Sequence, residues 1–110
     1  MSVMSTASGT RQRIPHPAKE SLELATILRV VGDPLRLDIV RLLSDGAERN
    51  CAEMTEALGI PASTGSYHLK LLREAGVTRT RADGTLRLIS LRAQDLDERF
   101  PGLVALLAQG

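Results

Sequence analysis

The amino-acid sequence predicts a single small domain that is mostly α-helical and carries one β-hairpin towards its C-terminal end. Apolar residues recur at helical spacing in four segments between residues 18 and 76. After Gly76 the spacing changes to every second residue, on both sides of an Asp83-Gly84 pair. The 110 residues leave room for little beyond one domain. With one tyrosine, one phenylalanine and no tryptophan, the core of that domain must be aliphatic.

The first two predicted helices meet at a clear break in the pattern. The first begins at about residue 18, and its apolar face consists of Leu22, Ala25, Leu28 (or Ile27) and Val31. Asp33 and Pro34 then suit the N-cap and the first position of a second helix, which we expect over residues 35–43. The inward residues of this helix are Leu35, Ile39, Leu42 and Leu43, and Gly46 follows its end.

Two further helices are separated by a turn signal at Gly59, Ile60 and Pro61. The third is predicted over residues 52–58, with Met54, Ala57 and Leu58 facing inward. The fourth lies within residues 60–77 and is closed by Gly76. Its first turns carry small polar residues, and behind them runs an apolar stripe of Leu69, Leu71 and Leu72.

A β-hairpin and a short final helix complete the pattern. Alternating runs at residues 77–82 and 85–92 flank Asp83-Gly84, and both of these turn residues tolerate positive φ. A polar turn is expected over residues 94–99, before a helix at residues 101–109. The order α-α-α-α-β-β-α is typical of a winged helix-turn-helix, which we place at residues 18–110. Residues 1–17, rich in Ser, Thr, Gly and Pro, are predicted to form a flexible arm.

The segment of residues 60–77 points to a partner. Small hydroxylated residues at the start of a helix, followed by leucines, suit a helix whose N-terminal end contacts a polar partner. The net charge of the chain is only +1, but residues 61–92 hold six basic and two acidic groups. A DNA major groove admits a helix and carries hydrogen-bond donors and acceptors on its base edges. We therefore expect double-stranded DNA as the partner, with a solvated basic face as the alternative.

Ten residues are predicted to contact DNA. The candidates on the fourth helix are Ser63, Thr64, Ser66, Tyr67, His68, Lys70 and Arg73, and those on the hairpin are Arg79, Arg81 and Arg87. The alternatives are structural. In these alternatives, one of the hydroxyl groups only caps the helix, and Tyr67 packs in the core. His68 packs between helices, and the arginines only keep an exposed ribbon soluble.

Two stretches of this sequence resemble the ArsR/SmtB family of bacterial transcriptional repressors. VGDPLRLDIVRLL at residues 31–43 is similar to the family's second-helix signature, and SYHLKLLREAGV at residues 66–77 is similar to its recognition segment. Asp83-Gly84 falls where the wing of the family turns. The resemblance spans residues 24–91. It implies a homodimer that binds an imperfect palindrome in a promoter and is released by a ligand or a chemical signal.

The sequence departs from the family at its metal sites. Many members bind metal through a Cys-x-Cys pair on the third helix, but the matching positions here are Asn50 and Ala52, with Cys51 between them. Others use Asp and His residues on the last helix, whereas residues 93–110 contain no histidine. We therefore expect no metal and no cofactor. Gly65 is a further departure, because a branched apolar residue is common at this position in the family. A glycine inside a helix costs about 1 kcal/mol relative to alanine. A close backbone approach would favour it there.

The remaining apolar stripes suit either a core or a dimer surface, and we favour the dimer because a single winged helix reads few base pairs. The residues predicted for this interface are Leu24, Leu28, Val31, Leu103, Leu106 and Leu107. Cys51, the only cysteine, is more typical of a small core residue than of a redox sensor.

The sequence thus predicts a homodimeric DNA-binding repressor controlled by a small molecule, a redox signal or another protein, or by its own concentration alone. The rival hypothesis is a winged-helix module that binds proteins and has lost DNA binding. No nucleophile motif, carboxylate–histidine pairing or phosphate-binding glycine loop supports an enzyme. No apolar run reaches membrane-spanning length, so we expect no membrane partner. The single cysteine can form no internal disulfide, which fits the cytoplasmic location that we expect.

Overall fold

The computed structural model describes residues 14–109, which form six α-helices, a three-stranded sheet and one turn of 3-10 helix at Lys19–Ser21. The helices are α1 (Leu24–Val31), α2 (Pro34–Leu43), α3 (Cys51–Leu58), α4 (Ala62–Glu74), α5 (Ala93–Arg99) and α6 (Leu103–Ala108). The strands are β1 (Arg49–Asn50), β2 (Thr78–Asp83) and β3 (Leu86–Leu91). The predicted winged helix-turn-helix is confirmed, with α4 as the recognition helix and β2–β3 as the wing.

Helix α2 begins where its sequence predicts. The side chain of Asp33 accepts a hydrogen bond from the backbone N–H of Arg36 at 3.0 Å, and Pro34 occupies the first helical position. On α1 the ambiguity of the apolar stripe is resolved in favour of Ile27, which is fully buried, whereas Leu28 is 47% exposed. The two helices pack together through Ile27, Val30 and Val31 of α1 and Ile39, Val40 and Leu43 of α2.

Helix α3 is bounded by strong local signals at both ends. A reciprocal capping box joins Asn50 and Glu53 through two side-chain-to-backbone hydrogen bonds of 2.8 Å, and Gly59 ends the helix with φ of 68°. Of its predicted inward residues, Met54 is buried and Leu58 half-buried. The prediction for Ala57 is wrong, because the face that meets α4 includes Thr55 instead and leaves Ala57 exposed.

Helices α3 and α4 approach each other closely at Gly65, as its sequence position predicts. A Cβ atom built on Gly65 would overlap the Cγ2 methyl of Thr55. The Thr55 hydroxyl is occupied within its own helix, where it donates to the carbonyls of Cys51 and Ala52 at 3.0 and 3.2 Å. Because a β-branched side chain in a helix has few rotamers, Thr55 has little freedom to move aside. The absence of a side chain at Gly65 therefore sets the distance between the two helices.

The sheet has the strand order β1-β3-β2, and both pairs are antiparallel. The hairpin is confirmed, but its turn lies one residue later than predicted. Asp83 pairs with Leu86, so the two loop residues are Gly84 and Thr85, and Gly84 takes the positive φ of 62°. Strand β1 is not predicted by the sequence, because its two residues are too few to show a period of two.

The predicted polar turn at residues 94–99 is wrong, since these residues belong to α5. Only Leu96 of this helix is buried, so the polar sequence gives almost no periodic signal. The start of α5 is held by Asp95, whose Oδ2 accepts from Nε and Nη2 of Arg92 at 3.1 and 3.0 Å. The side chain of Arg92 is itself buried, and burial of an arginine requires such a partner.

The N-terminal end of the described chain packs against the wing. His16 Nε2 accepts a hydrogen bond from the backbone N–H of Thr80 at 3.0 Å, and the carbonyl of Pro17 accepts from Nη1 of Arg92 at 2.8 Å. For residues 14–17 the predicted flexible arm is therefore replaced by a segment fixed on strand β2. Residues 1–13, the rest of the predicted arm, lie outside the described residues.

We predict that Gly65→Ala destabilises the protein by about 1–2 kcal/mol, because the new methyl group overpacks the α3–α4 contact by more than the gain in helix propensity. Urea denaturation followed by circular dichroism measures the change. Thr55→Ser removes the opposing methyl group, so in that background Gly65→Ala is expected to be neutral or stabilising. An alanine at position 65 that stabilises the chain carrying Thr55 would contradict the proposed packing.

We predict that the contact between His16 and Thr80 weakens as the pH falls below 6.5. The pKa of His16 is lowered, chiefly because burial disfavours the charged imidazole and further by Arg92, Arg79 and Arg73. A group whose pKa is lowered on folding contributes stability that is present above its unfolded value and is lost as the pH falls through the folded one. The protection factor of the Thr80 amide, measured by NMR hydrogen exchange, reports this loss.

The control for this measurement is His16→Gln, whose amide oxygen can accept the same hydrogen bond but does not titrate. In that variant the protection factor of Thr80 is expected to be independent of pH over the same range. Equal pH dependence in both proteins would show that His16 is not the titrating group.

Candidate nucleic-acid interface

Helix α4 has one face in the core and the opposite face in solvent. Leu69 and Leu72 are buried, and Gly65 packs on α3. The exposed residues of the opposite face lie at the i, i+3, i+4 and i+7 positions of one stripe, and they are Ser63, Ser66, Tyr67 and Lys70. Tyr67 is 59% exposed, so the alternative that it packs in the core is wrong. The helix thus presents three hydroxyl groups and one ammonium group together.

Thr64 and His68 lie on the flank of α4, and both are half-buried. The Nη1 atom of Arg36 on α2 lies 3.1 Å from Nδ1 of His68 and donates to it, because a guanidinium has no acceptor. Arg36 also donates from Nε to the carbonyl of Val30 at 2.6 Å. His68 therefore joins α4 to α2, as the packing alternative predicts, while its ring meets that of Tyr67 edge-on at a centroid distance of 5.2 Å.

The wing carries its arginines as predicted, but two of them have acidic partners. Nε and Nη2 of Arg81 donate to the two carboxylate oxygens of Glu48 at 2.7 and 2.8 Å. This bidentate pair lowers the pKa of Glu48, and both side chains remain partly exposed. Glu48 lies in the loop before β1, and its position 33 residues away from Arg81 gives no sequence signal.

Arg79 is paired in a similar way. Its Nη2 donates to Oδ2 of Asp95 at 3.1 Å, the same oxygen that Arg92 contacts. The hydrogen bonds from Arg92 are the largest cause of the lowered pKa of Asp95. Arg87 differs from the other two, because its Nη1 donates to the carbonyls of Leu86 and Gly84 at 3.1 and 3.4 Å in the wing tip. Arg79, Arg81 and Arg87 all remain exposed.

A cleft of about 300 Å³ lies between α4 and the wing. Three cationic residues line it: Lys70 and Arg73 of α4 and Arg87 of β3. Arg73 is half-buried, and its Nε has no hydrogen-bond partner within residues 14–109. Ser66 and the half-buried Cys51 lie at the same cleft, with their Oγ and Sγ atoms 3.9 Å apart. The cleft thus connects the exposed face of the recognition helix to the wing.

A second surface is apolar. Leu24, Leu28 and Leu106 are among the large hydrophobic residues that remain exposed, and they border a groove of about 480 Å³ between α1 and α6. Leu107 is half-buried. For Val31 the predicted position on a dimer surface is corrected, because it is only 4% exposed and belongs to the core of one chain. Leu103 is 7% exposed and belongs to the core, but it also lines this groove.

Within residues 14–109, no three His, Cys, Asp or Glu side chains lie close enough together to hold a metal ion. The helices of this part of the chain include none that is long and apolar enough to cross a membrane.

Known proteins share this architecture and part of this sequence. The family described as a helix-turn-helix domain matches residues 31–81. YceK, an uncharacterised HTH-type transcriptional regulator of Bacillus subtilis, is 40% identical over 84 residues, which are 76% of this chain and 84% of that protein. The arsenical resistance operon repressor of Staphylococcus xylosus is 37% identical over 75 residues, covering 68% of this chain and 71% of the repressor.

A solved structure agrees with these relatives. The homodimeric winged helix-turn-helix DNA-binding domain of a possible ArsR-family regulator from Mycobacterium bovis superposes with a TM-score of 0.65. It is 27% identical, and the match covers 77% of each chain. Sequence and structure lead to the same family, and the chain belongs to the ArsR/SmtB-type winged helix-turn-helix transcriptional regulators.

Proposed function

We propose that this chain is a homodimeric repressor that binds a palindromic promoter site. The observation that carries the proposal is the solvent-exposed polar stripe of α4, held beside an arginine-bearing wing. Ser63, Ser66, Tyr67 and Lys70 project from one face of a helix whose other face is fixed in the core. A major groove matches this face in shape and in hydrogen-bonding groups. A protein-binding module would more typically expose an apolar patch there.

Within this proposal the predicted residues have different tasks. Ser63, Thr64, Ser66, Tyr67 and Lys70 contact base edges and the phosphates at the groove. Arg79, Arg81 and Arg87 contact the phosphates that flank it, and Arg73 adds positive charge at the cleft. His68 chiefly positions α4 through its contact with Arg36.

Exchange of ion-pair partners makes the wing contacts feasible. Arg81 and Arg79 are exposed, and ion pairs between exposed side chains contribute only about 0–1 kcal/mol. A phosphate can therefore replace Glu48 or Asp95 as the partner of its arginine at small cost.

Dimerisation supplies the second recognition helix. One α4 contacts a few base pairs, whereas a two-fold pair contacts two half-sites one helical turn apart. The groove of Leu24, Leu28 and Leu106 is the surface we assign to the dimer, because a second copy of the same groove would cover these leucines.

The signal that releases the repressor is proposed not to be a metal ion. The positions of the family's Cys-x-Cys pair hold Asn50 and Ala52, and Asn50 is the N-cap of α3. Its side-chain oxygen accepts from the backbone N–H of Glu53 at 2.8 Å and so has a structural role. A small molecule, oxidation at Cys51, a protein partner or control by concentration alone remain the candidates, in a protein that we place in the cytoplasm.

The DNA proposal is tested by fluorescence anisotropy with a duplex from upstream of the chain's own gene, titrated at several salt concentrations. A shuffled duplex is the control. We expect tighter binding to the upstream duplex. Arg81→Ala is expected to lower the slope of log affinity against log salt by about one unit per protomer. Equal affinity for both duplexes at low salt would favour the protein-binding alternative, and an unchanged slope would exclude the wing contact.

The matched variant for this test is Glu48→Gln, which removes the charge that competes with phosphate for Arg81. We expect it to bind DNA several-fold more tightly than the wild type at low salt, because the carboxylate no longer offsets the arginine. The gain is expected to be smaller in the Arg81→Ala background, since the pair acts as a unit.

The dimer surface is tested by Leu28→Glu and Leu106→Glu, each of which places a charge in the apolar groove. Both variants are expected to be monomeric by light scattering after gel filtration and to lose specific DNA binding. Leu86→Glu is the matched control for the oligomeric state alone, because Leu86 is about as exposed as Leu28 (46% and 47%) but lies at the tip of the wing, outside the groove. A dimer that survives both groove substitutions would show that the subunits meet elsewhere.

A further inference from the structure

The cleft between α4 and the wing combines positive charge with apolar lining residues. Lys70, Arg73 and Arg87 supply the charge, and the lining includes no Asp or Glu. Leu69 and Ile89, which are 9% and 3% exposed, also line the cleft, so the hydrophobic core borders it directly. A lining of this kind suits a ligand that carries a negative charge on an apolar body.

The cations of the cleft differ from the outer wing arginines in their pairing. Arg79 and Arg81 each form an ion pair with a carboxylate, at 3.1 and 2.7 Å. Within residues 14–109, none of the three cations of the cleft forms an ion pair. Because like charges repel, an anion placed among these cations would be attracted to each of them and would also relieve their mutual repulsion.

Arg73 is the most buried of the three cations. It is half-buried, whereas Lys70 and Arg87 are exposed, and its Nε atom is buried without an acceptor in the described part of the chain. A buried donor that lacks an acceptor is unfavourable. The oxygen atoms of an organic anion are strong acceptors for a guanidinium group. We therefore expect the charged group of a ligand to bind at Arg73.

The size of the cleft fits a small molecule. Its volume of about 300 Å³ lies at the lower end of the range for ligand pockets, which is roughly 300–1,000 Å³. A phosphate of the DNA backbone would match the charge of the cleft but not its apolar residues. An anion with an apolar body would match both, since it could also cover Ile14, Leu69 and Ile89.

We propose that this cleft binds a small organic anion with an apolar body, and that the bound anion competes with DNA. This inference rests on the proposed DNA-binding function, in which Lys70, Arg73 and Arg87 are used by DNA. An anion bound at these residues would occupy charges that the phosphates need. The inference thus assigns the releasing signal to a chemical class and to a site.

The site is tested without DNA, by NMR titration of the amide chemical shifts with three probes. Octanoate carries both the charge and the apolar chain, acetate carries the charge alone, and octanamide carries the chain alone. We expect octanoate to bind at least about tenfold more tightly than either of the others, because only octanoate uses both parts of the lining. The shifts are expected at Ser66, Lys70, Thr80 and Arg87.

Arg73→Gln is the variant that tests the assigned charge. We expect it to bind octanoate about tenfold more weakly, because the charge-assisted hydrogen bonds are lost. The matched control is Arg29→Gln, which removes the same charge from an exposed position on α1 that does not line the cleft. It is expected to retain the wild-type affinity. Thermal unfolding checks both variants, and Arg87→Gln on the exposed wing provides a second test of the cleft.

Competition is measured by fluorescence anisotropy with the upstream duplex at constant ionic strength. Octanoate at ten times its own dissociation constant is expected to weaken DNA binding by about 11-fold or more, by mass action. Acetate at the same concentration is expected to leave the affinity for DNA unchanged.

Several results would overturn the inference. Equal affinities for octanoate and acetate would reduce the cleft to a phosphate contact, and equal affinities for octanoate and octanamide would exclude a role for charge. Loss of octanoate binding in Arg29→Gln instead of Arg73→Gln would place the ligand in the groove of Leu24, Leu28 and Leu106. An unchanged affinity for DNA would exclude competition. A wild type that does not prefer the upstream duplex would remove the proposed function, whereas the NMR titration would still decide the anion site.

Discussion

The packing of α3 against α4 at Gly65 is the contact on which the geometry of the interface depends. The Cγ2 methyl of Thr55 occupies the space that a side chain at position 65 would need. This close approach places the next residues of α4 in order, with Ser66 and Tyr67 outward and Leu69 inward. If α3 and α4 were further apart, the same residues would remain on α4, but their distance and angle relative to the rest of the domain would change. The glycine at position 65 lowers the helix propensity of α4, but the close approach that it allows fixes the position of the recognition helix.

The sequence predicts most of the fold because most of its elements carry their own local signals. Asp33-Pro34, the Asn50–Glu53 capping box and Gly59 lie at the ends of helices, where such residues have a physical role. Helix α5 lacks signals of this kind. It has one buried apolar residue, and its first turn is stabilised by the pairing of Asp95 with Arg92, a residue just outside the helix. Strand β1 exists only because Leu88 and Ile89 of the wing lie beside it. A short polar helix with one buried residue and a two-residue strand paired with a distant one therefore show no periodic apolar pattern in the sequence.

The sequence predicts which residues form the candidate interface better than it predicts how their charges are paired. The basic segment at residues 61–92 does contain the exposed face of α4 and the wing arginines. Counting charge along the chain overstates its free charge, however, because Glu48 binds Arg81 from before the segment and Asp95 binds Arg79 from after it. The negative charge of neighbouring segments is thus brought onto the wing by the fold. Those two carboxylates partly neutralise the wing, so in the proposed DNA complex phosphates would replace them as partners of Arg79 and Arg81.

The ambiguity of the first apolar stripe, Leu28 or Ile27, has a structural origin. Helix α1 is apolar on two sides: Ile27 and Val31 face the core, while Leu24 and Leu28 remain exposed on the other side. A helix of a monomeric domain normally has one apolar stripe, and a second stripe requires a second partner. Leu106 of α6 extends the exposed apolar stripe across the groove, so a single partner surface would bury the exposed leucines of both helices. A two-fold partner would meet this need with the chain's own surface, and in the proposed complex it would bring a second α4 to the same DNA.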